Sequence, residues 1–293
     1  MMKRIIFAIS LILLSKTIWA QSAGFDYFGQ KGPGHLIELF APKIVSLSDV
    51  KEKSLAISPL GDEVFFSEGK EWPETKIMHV KRINNQWGKP QVADFCMDCF
   101  ATEPAFSPDG KYLYFSSSKG ETNIKQYCIW RMERTMSGWG IPHKIIDIAD
   151  PNVWEFHPSV ARNGSVYFCR WDAKTQKGDI FRSIYSNGVY AIPEKVDLPF
   201  DSPGSNSDPF IDPDEKYIII SSMGQKGKGG YDVYISHRKE DGSWLPPVNA
   251  GEKINTSGDE DSLDISPDGR FVFIYKKGDV YWAEAKGLID AYL

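Results

Sequence analysis

The chain has 293 residues, of which 42% are hydrophobic and 25% charged, so it can bury the core of one large domain or two small ones. Its 34 basic and 39 acidic residues give a net charge of −5, which excludes a large basic surface for nucleic acid. Aromatic residues reach 13%, and 25 Gly and 18 Pro are spread along the sequence, which favours many short strands joined by turns over a helical bundle.

Residues 1–20 have the features of a cleavable export signal. Two basic residues, Lys3 and Arg4, precede an apolar stretch at 5–14, and Ala20 ends a cleavage-site pattern. The apolar stretch is too short to cross a bilayer core of roughly 30 Å, and no Cys follows it to carry a lipid. Residues 1–20 contain three basic residues and no acidic residue. Their removal leaves 31 basic and 39 acidic residues on the mature chain, a net charge of −8. We therefore expect a periplasmic or secreted protein without a membrane span.

Five copies of one pattern follow along the mature chain, each an apolar strand, a tight turn and a strand rich in Tyr, Phe, Val and Ile. The turns are Ser58-Pro59-Leu60-Gly61, Ser107-Pro108-Asp109-Gly110, Ala161-Arg162-Asn163-Gly164, Asp212-Pro213-Asp214-Glu215 and Ser266-Pro267-Asp268-Gly269. Their last positions are separated by 49, 54, 51 and 54 residues. A period of about 50 residues is the length of one four-stranded propeller blade.

The fourth turn departs from the others, because Glu215 stands where they have Gly. Gly accepts the positive φ that closes such a turn, so this turn is predicted to be strained or differently shaped. A third strand follows in each repeat at Lys76-Ile77-Met78, Cys128-Ile129-Trp130, Asp179-Ile180-Phe181, Asp232-Val233-Tyr234 and Asp279-Val280-Tyr281. A fourth, containing Pro and usually Trp, is predicted at Trp87-Gly88-Lys89-Pro90, Trp139-Gly140-Ile141-Pro142, Val189-Tyr190-Ala191-Ile192-Pro193 and Trp244-Leu245-Pro246-Pro247.

These repeats resemble those of a known family. The Ser-Pro-Asp-Gly turn, the aromatic second strand and the later Asp-Val-Tyr are similar to the WD-like repeats of the TolB-like family of exported bacterial β-propellers. The opening Tyr27-Phe28-Gly29-Gln30-Lys31-Gly32-Pro33-Gly34, followed by Leu39-Phe40-Ala41-Pro42, also resembles exported members. The resemblance covers nearly the whole mature chain and implies a propeller, but a propeller fold does not specify an activity.

We predict an all-β fold, a five-bladed β-propeller of four-stranded blades forming one domain over residues 21–293. The blades are expected at about 54–95, 101–148, 155–198, 206–250 and 260–293. The fifth repeat holds three strands, so an N-terminal strand at about 35–42 is predicted to complete it and close the ring without an open edge. Six blades, common in TolB-like proteins, are the alternative, although residues 21–53 contain too few strand-like runs.

Aligning the repeats by their turns places one polar residue of each repeat at a mouth of the central channel. These five are Ser54, Glu103, His157, Asp208 and Ser262. Glu155 lies just upstream on one entry loop, and Trp154 and Trp171 are placed to stack on a sugar or a peptide side chain. The set predicts a binding site, although propeller channels are also commonly lined by polar groups around water.

Glu103, His157 and Asp208 are chemically adequate ligands for a divalent cation, which is the only cofactor that the sequence indicates; none is required. Cys96, Cys99, Cys128 and Cys169 are disulfide candidates in an exported protein, with free thiols or a four-Cys zinc site as alternatives. The spacing of Cys96 and Cys99 resembles a redox motif, but no helix start is apparent there.

The sequence therefore favours an exported, monomeric, non-catalytic propeller that binds an envelope protein, a peptide or a glycan through its loop face and channel mouth. The alternative is a secreted carbohydrate-active hydrolase or lyase, with the channel-mouth carboxylates as acid and base. No Gly-x-Ser-x-Gly nucleophile motif is present, which disfavours a peptidase or esterase. Binding is the leading interpretation.

Overall fold

The computed structural model describes residues 25–34, 36–70, 74–120, 126–200, 204–289 and 292, which form 24 strands and one short 3-10 helix. The predicted export signal lies outside these residues. Among them, no helix combines the length and the hydropathy that crossing a bilayer requires.

The strands form five antiparallel sheets, which confirms the five-bladed propeller and leaves no sixth blade among the described residues. The first blade comprises β2 Lys51–Ile57, β3 Glu63–Gly69, β4 Lys76–Ile83, β5 Gln86–Trp87 and β6 Gln91–Val92. After a 3-10 helix at Asp94–Cys96, the second comprises β7 Ala101–Phe106, β8 Tyr112–Ser117, β9 Cys128–Thr135, β10 Gly138–Trp139 and β11 His143–Lys144.

The third blade comprises β12 Val153–Val160, β13 Val166–Asp172, β14 Lys177–Ser183 and β17 Glu194–Lys195, with a small hairpin of β15 Tyr185–Ser186 and β16 Val189–Tyr190 beside it. The fourth comprises β18 Ser205–Ile211, β19 Tyr217–Met223, β20 Tyr231–His237 and β21 Val248–Asn249. The fifth comprises β22 Ser262–Ile265, β23 Phe271–Lys276, β24 Asp279–Glu284 and, from the N-terminal region, β1 Glu38–Leu39.

The ring closes as the sequence predicts. Glu38 and Leu39 of β1 pair with Trp282 and Tyr281 of β24, so an N-terminal strand is the outermost strand of the last blade. The next residue, Phe40, is fully buried, and its ring lies 5.0 to 5.1 Å from the rings of Phe273 and Trp282. The two ends of the chain are thus held by both backbone pairing and aromatic packing.

The outermost strands lie slightly later in the chain than predicted. In blades one to four they are Gln91–Val92, His143–Lys144, Glu194–Lys195 and Val248–Asn249, each following the Pro of the predicted segment. Pro has no N–H to donate to a neighbouring strand, so pairing begins only after it. In blades one and two the Trp segment forms instead a short hairpin with the end of the third strand.

Hydrophobic packing lies between the blades rather than within them. Five clusters of buried side chains occur, one at each interface between neighbouring blades. The largest fully buried side chains are mostly aromatic residues of the second and third strands, such as Tyr114, Phe115, Tyr167 and Trp282. The aromatic-rich strands of the sequence therefore stabilise the ring.

The turn at Glu215 was predicted to be strained or differently shaped. It has the same hydrogen bond as the glycine turns and is strained. Its N–H donates to the carbonyl of Asp212 at 2.7 Å, as Gly61 does to Ser58 at 2.8 Å. Glu215 adopts a φ of +56°, a conformation that is unfavourable for a residue with a Cβ atom. Its carboxylate accepts hydrogen bonds from Tyr167 of blade three, 2.6 Å, and from Arg238 of blade four, 2.9 Å. These hydrogen bonds join the two blades and offset the free-energy cost of the strained backbone.

A second polar contact joins blades one and two. Glu63 is buried and accepts hydrogen bonds from Trp139 on Oε2, 2.9 Å, and from Arg134 on Oε1, 3.2 Å, while Nε2 of His79 lies 3.0 Å from the same Oε2. Burial alone would raise the pKa of Glu63, but the contacts with His79, Trp139 and Arg134 outweigh it and lower the pKa. Its negative form is therefore the one that stabilises the interface.

We expect replacement of Phe40 by Ala to destabilise the ring by about 3–5 kcal/mol, because it opens a cavity at the joint between the two ends of the chain. Urea unfolding followed by circular dichroism measures the change. Leu36→Ala is the matched control, since Leu36 is 71% exposed and lies four residues earlier. Equal stability of the two variants would contradict the role of Phe40 in closure.

We expect Glu63→Gln to lower the free energy of unfolding by about 1–3 kcal/mol at pH 7 and by less near pH 3. Because the pKa of Glu63 is lowered on folding, its contribution is present above the unfolded pKa of about 4.3 and is lost as the pH falls through the folded value. Denaturant unfolding at both pH values measures this. Asp214→Asn, which removes an exposed inter-blade pair with Arg162, should change stability little at either pH; a loss of the same size at pH 7 and pH 3 in Glu63→Gln would contradict the interpretation.

Candidate functional site

Three consecutive innermost strands share a local irregularity that aims a side chain at the channel. Strands β7, β12 and β18 each contain a bulge, and Glu103, His157 and Asp208 lie at these bulges. Their φ angles are +56°, +52° and +50°, a conformation that costs about 1–2 kcal/mol for each residue with a Cβ atom. Bulges redirect a side chain relative to the regular pleat, and backbone strain of this kind concentrates at functional sites.

These three side chains converge as the alignment of the repeats predicted. A carboxylate oxygen of Glu103, a ring nitrogen of His157 and a carboxylate oxygen of Asp208 all lie within 4.8 Å of one another. The Glu103 carboxylate accepts a hydrogen bond from the backbone N–H of His157 at 2.7 Å and from the hydroxyl of Ser116 at 3.2 Å. The N–H of Glu103 in turn donates to Ser67 of blade one at 2.7 Å. The network therefore links blades one, two and three around the axis.

His157 is buried at the centre of a group of carboxylates. Its Nδ1 atom lies 3.6 Å from Asp208, and its Nε2 atom lies 4.0 Å from Asp264 and 3.4 Å from the hydroxyl of Ser262. Burial alone would lower the pKa of His157, but the contact with Asp264 and the charges of Asp208 and Glu103 raise it to about 9. Burial raises the pKa of Asp208 to about 7, although His157 opposes that rise. At neutral pH the imidazole is positively charged.

The remaining predicted residues have other contacts. Ser54 is hydrogen bonded to Ser67 at 2.8 Å instead of reaching the cluster. Glu155 is fully buried and pairs with Arg170 at 2.5 Å, and burial raises its pKa to about 7. Trp154 and Trp171 lie opposite one another in the register of β12 and β13, both half-buried, at the entry end of blade three.

A cavity of about 340 Å³ opens at the opposite end of the channel from the predicted mouth, among the tight turns. We call it the funnel. Its rim includes Pro59, Pro108, Pro213 and Pro267, and its walls include Phe106, Phe210 and Phe273. His157 and Asp264 line its inner end. Of the five predicted channel residues only His157 lines the funnel.

Asp264 was missed because the alignment took one residue from each repeat, and in the fifth repeat that residue is Ser262. Ser262 does contact His157, at 3.4 Å from its Nε2 atom. Asp264 lies two residues further along β22 and lines the funnel, as Ala105 and Ser159 do at the same distance before the turns of blades two and three. Strand β22 pairs with β23 in unbroken register, whereas the corresponding strands of the first four blades each shift at one point.

The cluster offers a divalent cation two carboxylates and one imidazole. Ligand type and spacing would suit such an ion. However, one Glu103 oxygen already accepts two hydrogen bonds from the protein, and the imidazole would have to release a proton with a pKa of about 9. The residues present therefore fit an ion-paired imidazolium better than a metal centre.

The structure contains no disulfide among the four cysteines, all of which lie in the described residues. Cys169 is buried at the interface of blades three and four, 3.5 Å from the carbonyl of Asn206. Cys96 and Cys99 lie on the connection between blades one and two, and Cys128 begins the third strand of blade two. Cys169 thus lies at a different blade interface from the other three cysteines.

Comparison with known proteins supports the fold and leaves the activity open. No protein-family model and no curated protein sequence matches the chain. An endo-arabinase from Bacteroides thetaiotaomicron is similar over 82% of this chain and 94% of its own, with a TM-score of 0.52 and 15% identity. TolB from Acinetobacter baumannii is similar over 80% of this chain, with a TM-score of 0.49 and 16% identity. This chain spans 54% of that TolB chain.

We expect Glu103→Ala to destabilise the protein by about 1–3 kcal/mol, because it leaves the buried N–H of His157 without its acceptor. Glu103→Gln keeps an oxygen acceptor and should lose less. Chemical denaturation compares the two with Glu133→Ala, a control at an exposed position of blade two. If Glu103→Ala is no less stable than Glu133→Ala, the carboxylate does not support the bulge at His157.

Proposed function

We propose that this protein is an exported, non-catalytic binding propeller that receives a basic side chain, Lys or Arg, of a partner protein or peptide in the funnel. The observation that carries the proposal is the combination of a preformed concavity with aromatic walls and a carboxylate at its inner end. Ligand sites are typically concavities with mainly apolar walls and a few well-placed polar groups. Export is inferred from residues 1–20.

The charge of the channel favours a cation. Asp208, Asp264 and Glu103 surround the single imidazolium of His157, so acidic groups outnumber basic ones around that ring, and of the three carboxylates Asp264 is the one that lines the funnel. The Asp264 side chain is 20% exposed and faces this space, whereas that of His157 is only 7% exposed. A guanidinium or ammonium group would pair with Asp264, while Phe106 and Phe210 offer aromatic faces to the same cation.

A carbohydrate hydrolase is the second candidate, favoured by one observation. Oxygen atoms of Glu103 and Asp208 lie within 4.8 Å, near the separation of about 5–5.5 Å that carboxyl groups have in retaining glycosidases. However, neither residue lines the funnel, and the Glu103 carboxylate is held by His157 and Ser116. A general acid and base must both reach the bond being cleaved, so the geometry supports binding better.

We expect short peptides centred on Arg or Lys to bind the protein, and peptides with citrulline in place of Arg to bind at least about tenfold more weakly, since the neutral side chain of citrulline cannot form a charged pair with Asp264. Isothermal titration calorimetry measures both. Asp264→Asn should abolish the preference for the charged side chain. Asp241→Asn, at an exposed turn of blade four, removes the same charge elsewhere and should leave it unchanged.

Three outcomes would reject this function. Equal binding of Arg and citrulline peptides would exclude recognition by charge. Binding that is lost on adding a chelator but survives Asp264→Asn would favour a cation at Glu103, His157 and Asp208. Turnover of an oligosaccharide that is lost in both Glu103→Gln and Asp208→Asn would favour the hydrolase.

A further inference from the structure

Cys96 and Cys99 lie on a tight turn in the connection from β6 to β7. The 3-10 helix Asp94–Cys96 ends at the first of them, and the turn continues through Met97 and Asp98. Within a turn the Cα atoms of residues three apart are less than about 7 Å from each other, which is also the upper limit for joining two cysteines by a disulfide. The backbone therefore already places the two residues within bonding range.

The two thiols have unequal environments. Cys96 is fully buried, and its sulfur accepts a hydrogen bond from the N–H of Ile77 at 3.4 Å. Cys99 is half-buried, and the hydroxyl of Ser117 donates to its sulfur at 3.6 Å. The thiols also lie within hydrogen-bonding reach of each other. Cys99 is thus the more exposed of the two residues, and the thiol of the buried Cys96 lies within its reach.

Two lysines, Lys76 and Lys119, lie near this pair of cysteines. The ammonium group of Lys76 donates hydrogen bonds to the carbonyls of Cys96, Met97 and Cys99, at 3.0, 3.3 and 2.6 Å. The hydrogen bond with Cys96, helped by Ser117 and by the charges of Lys119 and Lys76, lowers the pKa of Cys99 to about 6. The hydrogen bond with Cys99 and burial raise the pKa of Cys96. A thiolate, and not a thiol, is the nucleophile in disulfide chemistry.

We propose that Cys96 and Cys99 form a thiol–disulfide exchange site that reacts with small disulfides, with Cys99 as the attacking sulfur and Cys96 as the resolving sulfur. The Cys99 thiolate attacks one sulfur of the disulfide, forms a mixed disulfide and releases the first thiolate. The Cys96 sulfur then attacks Cys99, forms the Cys96–Cys99 bond and releases the second thiolate, and the Cys96 proton passes to a released thiolate. The protein dithiol is oxidised, and one disulfide is reduced to two thiol groups.

The other two cysteines provide an internal contrast. Cys128 and Cys169 are buried, and burial raises the pKa of Cys169 well above its usual range. No second cysteine lies within three residues of either in the sequence. Oxidation is therefore expected to be selective for the Cys96–Cys99 turn in the folded protein. This site is separate from the funnel and does not depend on the proposed function.

The test is treatment of the folded, fully reduced protein with oxidised glutathione at pH 7, followed by mass spectrometry of the whole chain and of its peptides. The wild type should lose about 2 Da through a Cys96–Cys99 bond, without a stable adduct, and a reductant should reverse the change. Cys96→Ser should instead hold one glutathione on Cys99. Cys99→Ser should acquire none on Cys96, and Cys169→Ser should behave as the wild type.

Two further measurements separate loss of reactivity from loss of folding. Cys96→Ala repeats the adduct test in case Cys96→Ser perturbs folding, and circular dichroism verifies that each variant is folded. Alkylation of Cys99 by iodoacetamide should be half-maximal near pH 6. The proposal is overturned if the wild type keeps four thiols under conditions that oxidise dithiothreitol, if Cys128 or Cys169 reacts as fast as Cys99, or if glutathione accumulates on Cys96.

Discussion

Packing between neighbouring blades is the interaction on which the structure depends. Each hydrophobic cluster takes side chains from two blades, so no blade has a complete core of its own. An open row of such blades would leave an unpaired apolar face at each end, and the meeting of the ends buries both faces. The pairing of β1 and the packing of Phe40 therefore stabilise the whole ring. The hydrogen bonds of Glu63 and Glu215 fix the relative orientation of neighbouring blades, which apolar packing alone does not specify.

The ring also imposes the geometry of the channel. Innermost strands that run around one axis bring equivalent positions together, and bulges in blades two, three and four make Glu103, His157 and Asp208 meet there. Strained backbone at three such positions persists only where its surroundings hold it. Here the hydrogen bond from the N–H of His157 to Glu103 supplies part of that support, so one carboxylate both shapes the bulge and contributes to the charge of the channel.

The fold could be predicted from the sequence because the turn motif recurs at a regular period and the last repeat lacks a strand. Aligning the repeats by their turns also predicted that Glu103, His157 and Asp208 lie close together, since equivalent residues of the blades lie at the same distance from the axis of the ring. It failed at Asp264 because it took a single residue, Ser262, from the fifth repeat, although the residue two positions later also faces the channel.

The charge of the channel argues for the class of ligand independently of its shape. Burial raises the pKa of Asp208, and the contact with Asp264 and the charge of Asp208 raise the pKa of His157. Loss of either proton as the pH rises makes the channel more negative. A cationic group therefore encounters an acidic site at neutral pH that becomes more acidic in alkali, whereas an anion would have to overcome three surrounding carboxylates with the help of one buried imidazolium.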